Sequence, residues 1–338
     1  MSEPLALSLG QKFELERMSR AIDATADAQV LRGLAKQLLQ AWHSQKAATQ
    51  WVMRQQLDAP TLGTALALNG PPGRVLIASG ASVPGHMPVG ENDGPIGSVV
   101  LARALVRIGH EVAIVTDPVA AEPFRGLLRS LGGCDGVRVI EIGLGDEAMQ
   151  RELAAGFDIY CAIERLGGNP HGIIYGATGV SRAPHRANLD RLFQLARERG
   201  APTIGIGDGG NEIGFGNIHR QMMDRLSEFA FCERTPCGGG VYSAVNTDVL
   251  LVANTSNMGA HAVVAGLALL RNDPSLCHTA EQELTLAHVG VGLGLIDGGS
   301  GELRAWCDGV PPAANAAVVE VLRTIVTQAL LPVQPRRF

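Results

Sequence analysis

The stretch RVLIASG, residues 74–80, running on into ASVPGHMPVGENDGPIG, residues 81–97, decides the fold class. Pro60, Gly63, Gly70, Pro71, Pro72 and Gly73 punctuate the chain ahead of it. A short continuous apolar run bounded by turn formers and released into a glycine-rich loop reads as a strand buried on both faces. Working outward, the same unit recurs at Val112 to Thr116, Val137 to Ile142, Ile159 to Ile163 and Thr203 to Ile206. Helical patterns separate these runs, at Ser98 to Ile108, Pro118 to Leu131, Glu147 to Ala155 and Arg186 to Arg199. A further strand, Val249 to Ala253, precedes a helix at Ala260 to Leu270, and His278 to His288 and Pro312 to Leu331 read as helices. The pattern predicts an α/β fold: a doubly wound, mostly parallel sheet with helices on both faces. Upstream, Phe13 to Leu57 carries apolar residues near helical spacing and reads as a helical cap or dimer arm, which leaves a homodimer open. The expected organisation is a helical N-terminal segment over 1–72 packing on an α/β domain over 73–338, with a smaller subdomain from about residue 237 as the alternative.

Composition narrows the function. A net charge of -5 and the lack of any Lys/Arg cluster supply no footprint for a phosphate backbone, so nucleic acid is not an expected partner. The lysines are Lys12, Lys36 and Lys46, all ahead of the first strand. A Walker A loop and a pyridoxal phosphate enzyme each need a lysine inside the α/β region, so both classes are set aside and no PLP is expected. The apolar stretch from Val249 to Leu270 is interrupted by Asn254, Ser256, Asn257 and His261, against a membrane span. The first residues, MSEPLALSLGQKFELER, do not read as a secretory signal, and six cysteines without C-x-x-C or zinc spacing read as reduced thiols. A cytoplasmic location is the expectation.

In open α/β sheets ligands bind beyond the carboxyl ends of the strands, so the residues directly after each run carry the chemistry. The loop after Val75 to Ser79 holds Glu91, Asn92, Asp93 and Gly94, and the loop after Ile159 to Ile163 holds Glu164 and Arg165, with His171 and Arg182 further along. Thr203 to Ile206 opens into Gly207-Asp208-Gly209-Gly210-Asn211-Glu212-Ile213-Gly214, and Val249 to Ala253 leads to Asn257 and His261. Gly209 and Gly210 would let backbone N–H groups approach a ligand, and Asn211 would cap the following helix. Acids at the ends of three strands repel one another unless a cation or an arginine compensates them. Glu91 or Asp93, Glu164, and Asp208 with Glu212 are therefore candidate ligands of a hard dication, Mg²⁺ or Mn²⁺. Equally, the same acids could act as general acids and bases for a small amine substrate while Arg165 or Arg182 grips its carboxylate. His261 and His288 read as packed histidines, and GVGLGLIDGG, residues 290–299, as a late strand and turn.

The blocks GENDGPIG (90–97), AIERLGG (162–168) and GDGGNEIGFGN (207–217) together resemble the D-glutamate cyclase family over roughly residues 40 to 330. The resemblance implies cyclisation of D-glutamate to 5-oxo-D-proline with loss of water, on a small-molecule amino-acid substrate. It carries Glu91, Asp93, Gly94, Glu164, Arg165, Asp208, Gly209, Asn211 and Glu212 into the site. A dication or Arg165 would polarise the carboxylate, Glu164 or Asp208 would accept the amine proton, and helix N-termini after DGP and GGN would stabilise negative charge. Where relatives show an Asp-Gly-Tyr pattern after AIER, this chain has NPHGIIYGATG (169–179), and larger relatives carry a hydro-lyase-like domain not seen in this sequence.

Overall fold

A computed structural model describes residues 60–331, so the helical segment read over 13–57 lies outside the described residues. The chain enters through helix α1 (Pro60–Leu68) and strand β1 (Arg74–Ser79). It then alternates: α2 (Pro95–Arg107), β2 (Glu111–Thr116), α3 (Ala121–Leu131), β3 (Arg138–Glu141), α4 (Glu147–Gly156), β4 (Ile159–Ile163), α5 (Asp190–Glu198) and β5 (Thr203–Gly207). After α6 (His219–Arg225) come β6 (Val249–Val252), α7 (Ser256–Arg271), α8 (Ala280–Gly292) and α9 (Pro312–Ala329).

The six strands form one sheet in the order β3-β2-β1-β4-β5-β6, and every pair is parallel. Side chains alternate across a strand, and the two faces separate cleanly. Val75 and Ile77 of β1 pack with Val112, Ile114, Cys161, Ile204 and Ile206 under α2, α3 and α7. Leu76 and Ala78 face the opposite way, with Ala113, Val115, Tyr160 and Ala162 against Leu153, Leu192 and Phe193 of α4 and α5. Both faces are covered, which is why the strands read as unbroken apolar runs rather than alternating ones. The doubly wound parallel sheet expected from the sequence is the observed fold.

Local chemistry moves several boundaries. Helix α2 begins at Pro95, because proline at the first helical position already has a helical φ and lacks only an N–H that would be orphaned there. Helix α7 begins at Ser256, one turn before the sequence pattern suggests, because the Thr255 side chain caps it by accepting from the Met258 N–H. Residues 290–299 correct the expected late strand: Gly290 to Gly292 finish α8, where Gly290 packs against Asn92, and Ile296 makes a single parallel bridge to Glu91. His288 is exposed on α8 rather than packed. Among the described residues no helix is long and apolar enough to cross a membrane.

The sheet order reverses between β1 and β4, and this is where a crevice must open at the carboxyl edge. A buried ion pair spans it. Arg165, directly after β4, has a fully buried side chain, and its NH1 lies 2.6 Å from Oδ2 of Asp117, which directly follows β2. The same guanidinium donates to the carbonyls of Gly80, after β1, and Ala187. Asp117 in turn accepts from the Ala187 N–H. Three strand ends are thus tied by one cation that is too deep to be solvated. Removing one partner of such a pair leaves a naked buried charge, so Asp117→Ala should lower the unfolding free energy by about 3–5 kcal/mol. Urea denaturation should show this drop, whereas Arg165→Met with Asp117→Leu together should cost clearly less than the single change.

Candidate functional site

The carboxylates converge at the crevice because each strand-end loop is pinned to its neighbour. The loops after β4 and β5 are zipped by an antiparallel bridge between Leu166 and Glu212, in which Ile213 N–H donates to Arg165 O and Gly167 N–H to Asn211 O. The loop after β1 is held by the Glu91–Ile296 bridge, with Asn92 N–H donating to Ile296 O at 2.8 Å. Asp93 then reaches the start of α7: its Oδ2 accepts from Ser256 N–H at 2.8 Å and its Oδ1 from Asn257 N–H at 2.7 Å. Asn257 returns the contact by accepting from Gly94 N–H and Gly97 N–H, which caps α2 from another helix. Two helix N-termini are joined in this way around one carboxylate, where their exposed N–H groups and dipoles favour negative charge.

Gly94 sits at φ 89°, and a side chain there would place Cβ 2.7 Å from Glu164 Cβ, so no other residue fits between the two acidic loops. Gly210, at φ 98°, is fixed in the same way by Met222 and Tyr242. Glu164 itself adopts a left-handed φ of 50°, unusual for a non-glycine residue. That turn aims its carboxylate across the crevice, where Ser256 Oγ donates to Oε2 at 2.6 Å. Strain of this kind persists only where surrounding structure imposes it, here the bridge to the β5 loop and the Ser256 contact.

Asp93, Glu164 and Asp208 each offer a ligand oxygen, and the three atoms lie within 4.8 Å of one another. Around them stand Glu91, Glu212 and Asp308. Burial pushes Glu91, Glu164 and Asp208 well above the usual carboxylate range, and their neighbours' charges push the same way. Asp308 is raised to about 8, first by burial and then by the charge of Asp93, although a hydrogen bond with Asp208 opposes this. Glu212 is raised by burial against the opposing effect of its bonds from Gly209 N–H and Gly210 N–H. On the other side, Arg186 is buried and Arg182 half-buried, both near enough to Glu91 to counter its charge. Carboxylates forced toward protonation by one another would be relieved by a dication, and three convergent oxygens suit a hard one. Asp93, Glu164 and Asp208 would hold it.

Several residues selected from the sequence have a different place. Arg165 is committed to Asp117 and to carbonyl groups, so its guanidinium braces the crevice instead of gripping a substrate carboxylate. Asn211 caps no helix: its Nδ2 donates to Tyr175 O, and the next α-helix starts only at His219. The second helix N-terminus at the site is therefore that of α7, not one following GGN. His171 is exposed beside Gly239. Arg182 lies over Gly176, and its guanidinium makes no hydrogen bond among the described residues. Asp117, Ser256, Arg186 and Asp308 were missed. Asp117 and Ser256 follow strand ends and could have been found by the rule that found the others. Asp308 sits in a turn between α8 and α9 that carries no strand-end signal. It is delivered by buried Asp297, which accepts from Ser300 Oγ, Gly309 N–H and Arg304.

A family model described as D-glutamate cyclase-like, C-terminal, matches residues 22–323. The chain is also 28% identical over 203 residues to the human protein named D-glutamate cyclase, mitochondrial, an alignment covering 55% of this chain and 31% of that protein. It therefore spans about a third of that relative's length.

An acid whose folded pKa exceeds its unfolded value binds its proton more tightly in the native state, so native stability falls as pH rises from the unfolded pKa, 3.8 for Asp308, through the folded value of about 8. The metal-free protein should accordingly show a melting temperature that declines between about pH 5 and about pH 8. Saturating Mn²⁺ or Mg²⁺ should recover part of the loss at the alkaline end by binding only the folded state. A scanning-calorimetry series that is flat in pH and indifferent to both ions would contradict the clustered-carboxylate account.

Proposed function

Because the chain belongs to the D-glutamate cyclase-like, C-terminal family, we propose that it dehydrates D-glutamate to 5-oxo-D-proline. The observation that supports this most directly is the convergence of Asp93, Glu164 and Asp208 oxygens within 4.8 Å, with Asp308 hydrogen-bonded to Asp208 beside them and burial pushing Glu164, Asp208 and Asp308 upward by different amounts. Cyclisation joins the α-nitrogen to the carbon of the γ-carboxyl group and breaks one of that carbon's bonds to oxygen. The ammonium group gives up two protons and the departing oxygen takes two, so the step needs an acceptor and a donor side by side. Neighbouring acids whose environments separate their pKa values provide both.

Glu164, oriented by the Ser256 hydroxyl, accepts a proton from the substrate ammonium. The Asp208–Asp308 pair gives one proton to the departing oxygen, Glu164 passes on the one it accepted as the second, and the second ammonium proton returns to the pair, so water leaves with the cluster's protonation restored. Arg182, with its guanidinium free of hydrogen bonds among the described residues, pairs with the substrate α-carboxylate, and Arg186 balances Glu91. When bound at Asp93, Glu164 and Asp208, a dication would supply Lewis acidity to the γ-carboxylate. The negative charge that develops on the γ-oxygen is also met by the N-termini of α2 and α7. All six cysteines are free, which suits a reducing compartment, and a cytoplasmic location is part of the same proposal.

Incubation of the purified protein with D-glutamate or L-glutamate and Mn²⁺ or Mg²⁺, followed by mass spectrometry, should show loss of one water from the D-isomer. Failure with both isomers and both ions would set the proposal aside. Asp208→Asn should lower kcat by about 100-fold or more with an unchanged melting temperature, since it removes both a charged dication ligand and the proton-sharing partner of Asp308 while the side chain keeps its size. A mere turn residue would tolerate asparagine. Arg182→Gln should instead raise KM by about 10-fold with a smaller effect on kcat, the signature of lost ground-state binding.

A further inference from the structure

A second group of metal-binding side chains lies deeper in the protein. His261 projects from α7 five residues beyond Ser256, His278 precedes α8, and Glu283 lies in the first turns of α8. All three side chains are buried. His278 Nε2 is 2.8 Å from Glu283 Oε2 and His261 Nε2 is 3.6 Å from the same oxygen, with the two rings' centroids 4.5 Å apart. His261 Nε2 has no hydrogen-bond partner. A buried polar nitrogen left unmatched is costly, and a packing role for the ring does not account for it.

Beside the two histidines lies a cavity of about 10 Å³, lined by His261, His278, Cys277 and Arg323 with Val264, Val319 and Leu322. That is close to the minimum that holds one water-sized occupant, on the order of 10–15 Å³. Around zinc, nitrogen and oxygen ligands sit about 2.0–2.2 Å from the ion, which puts tetrahedral donors about 3.4 Å from one another. The His261–Glu283 separation already has that size, and the His278–Glu283 hydrogen bond would open by about 0.6 Å to accept an ion.

We propose that His261, His278 and Glu283 form a second cation site, for a borderline dication of the zinc class, that fastens α7 to α8. The donor set of two imidazoles and one carboxylate differs in kind from the all-oxygen set at the crevice, so the two sites select different ions. Burial lowers His261 to about 4 and His278 to about 3, so both rings are neutral and ready to coordinate. Arg103 and Arg323 face His278 and oppose added positive charge, which the Glu283 carboxylate would offset. Binding releases the Glu283 proton and involves no change of oxidation state.

The test uses the full chain without an affinity tag, stripped with chelator and then titrated with Zn²⁺ alone. One equivalent of zinc should survive desalting in the wild type and in Asp208→Asn, and be lost in His261→Gln and in Glu283→Gln. Zinc should also raise the melting temperature of the wild type but not of those two variants. Wild type that retains no zinc, or folded His261→Gln and Glu283→Gln proteins that retain a full equivalent, would overturn the proposal. Should the variants fail to fold, the absorption spectrum of Co²⁺ bound to the wild type decides: an intense four-coordinate spectrum supports the site, and a weak octahedral one, as expected for Co²⁺ on oxygen ligands, overturns it. Loss of zinc from the wild type with glutamate turnover intact would defeat this site alone, and absence of turnover with zinc bound would defeat only the activity proposed above.

Discussion

Like charges packed into a low-dielectric crevice repel strongly, and the architecture of this protein is arranged around keeping such charges together. Glu91, Asp93, Glu164, Asp208, Glu212 and Asp308 come from four separate connections, and each is raised by burial before any neighbour contributes. What holds them is backbone. Asp93 is seated on the N–H groups of α7, Glu212 on those of its own loop, and the β4 and β5 loops are bridged to one another. Little of the holding is done by opposite charge: the fully buried cation Arg165 is spent on Asp117, and among the described residues Arg182 and Arg186 are left to face Glu91. A site built so is poised to take up protons or a cation.

The fold was legible because a buried parallel sheet imposes a pattern that propensity alone can carry: short apolar runs, helices between them, glycine and proline at the joints. The site was legible to the extent that it obeys the strand-end rule. Asp93, Glu164 and Asp208 follow β1, β4 and β5, and the structure brings them to one point. Arg165 shows where the rule stops. Residue type and position could not tell a guanidinium that meets a ligand from one that meets Asp117, because the choice depends on which side of the sheet reversal each loop folds. Asp308 was invisible for a different reason: it owes its place to the long-range docking of the turn after α8, organised by Asp297, and no local pattern records that contact. His261 was read as packed, which is true of its burial and silent on its unmatched nitrogen.

The strand-end acids and the glycines between them are what a site of this geometry cannot alter without losing convergence. Gly94 is the clearest instance. It separates Asp93 from Pro95, and any Cβ at that point would collide with Glu164, so the acid, the glycine and the proline form one geometric unit.

The delivery of Asp308 by the turn after α8 also has a bearing on how the chain acquires its site during synthesis. Domains emerging from the ribosome begin to organise from the N-terminal side, and here the first five strands are complete by residue 207 while Glu91 must wait for Ile296 and Asp208 for Asp308. Until that last segment arrives, the crevice acids stay wet and their mutual repulsion is weak. The electrostatic penalty of the crevice therefore falls due only after the sheet is in place to bear it, so the acids gather last on a scaffold already built.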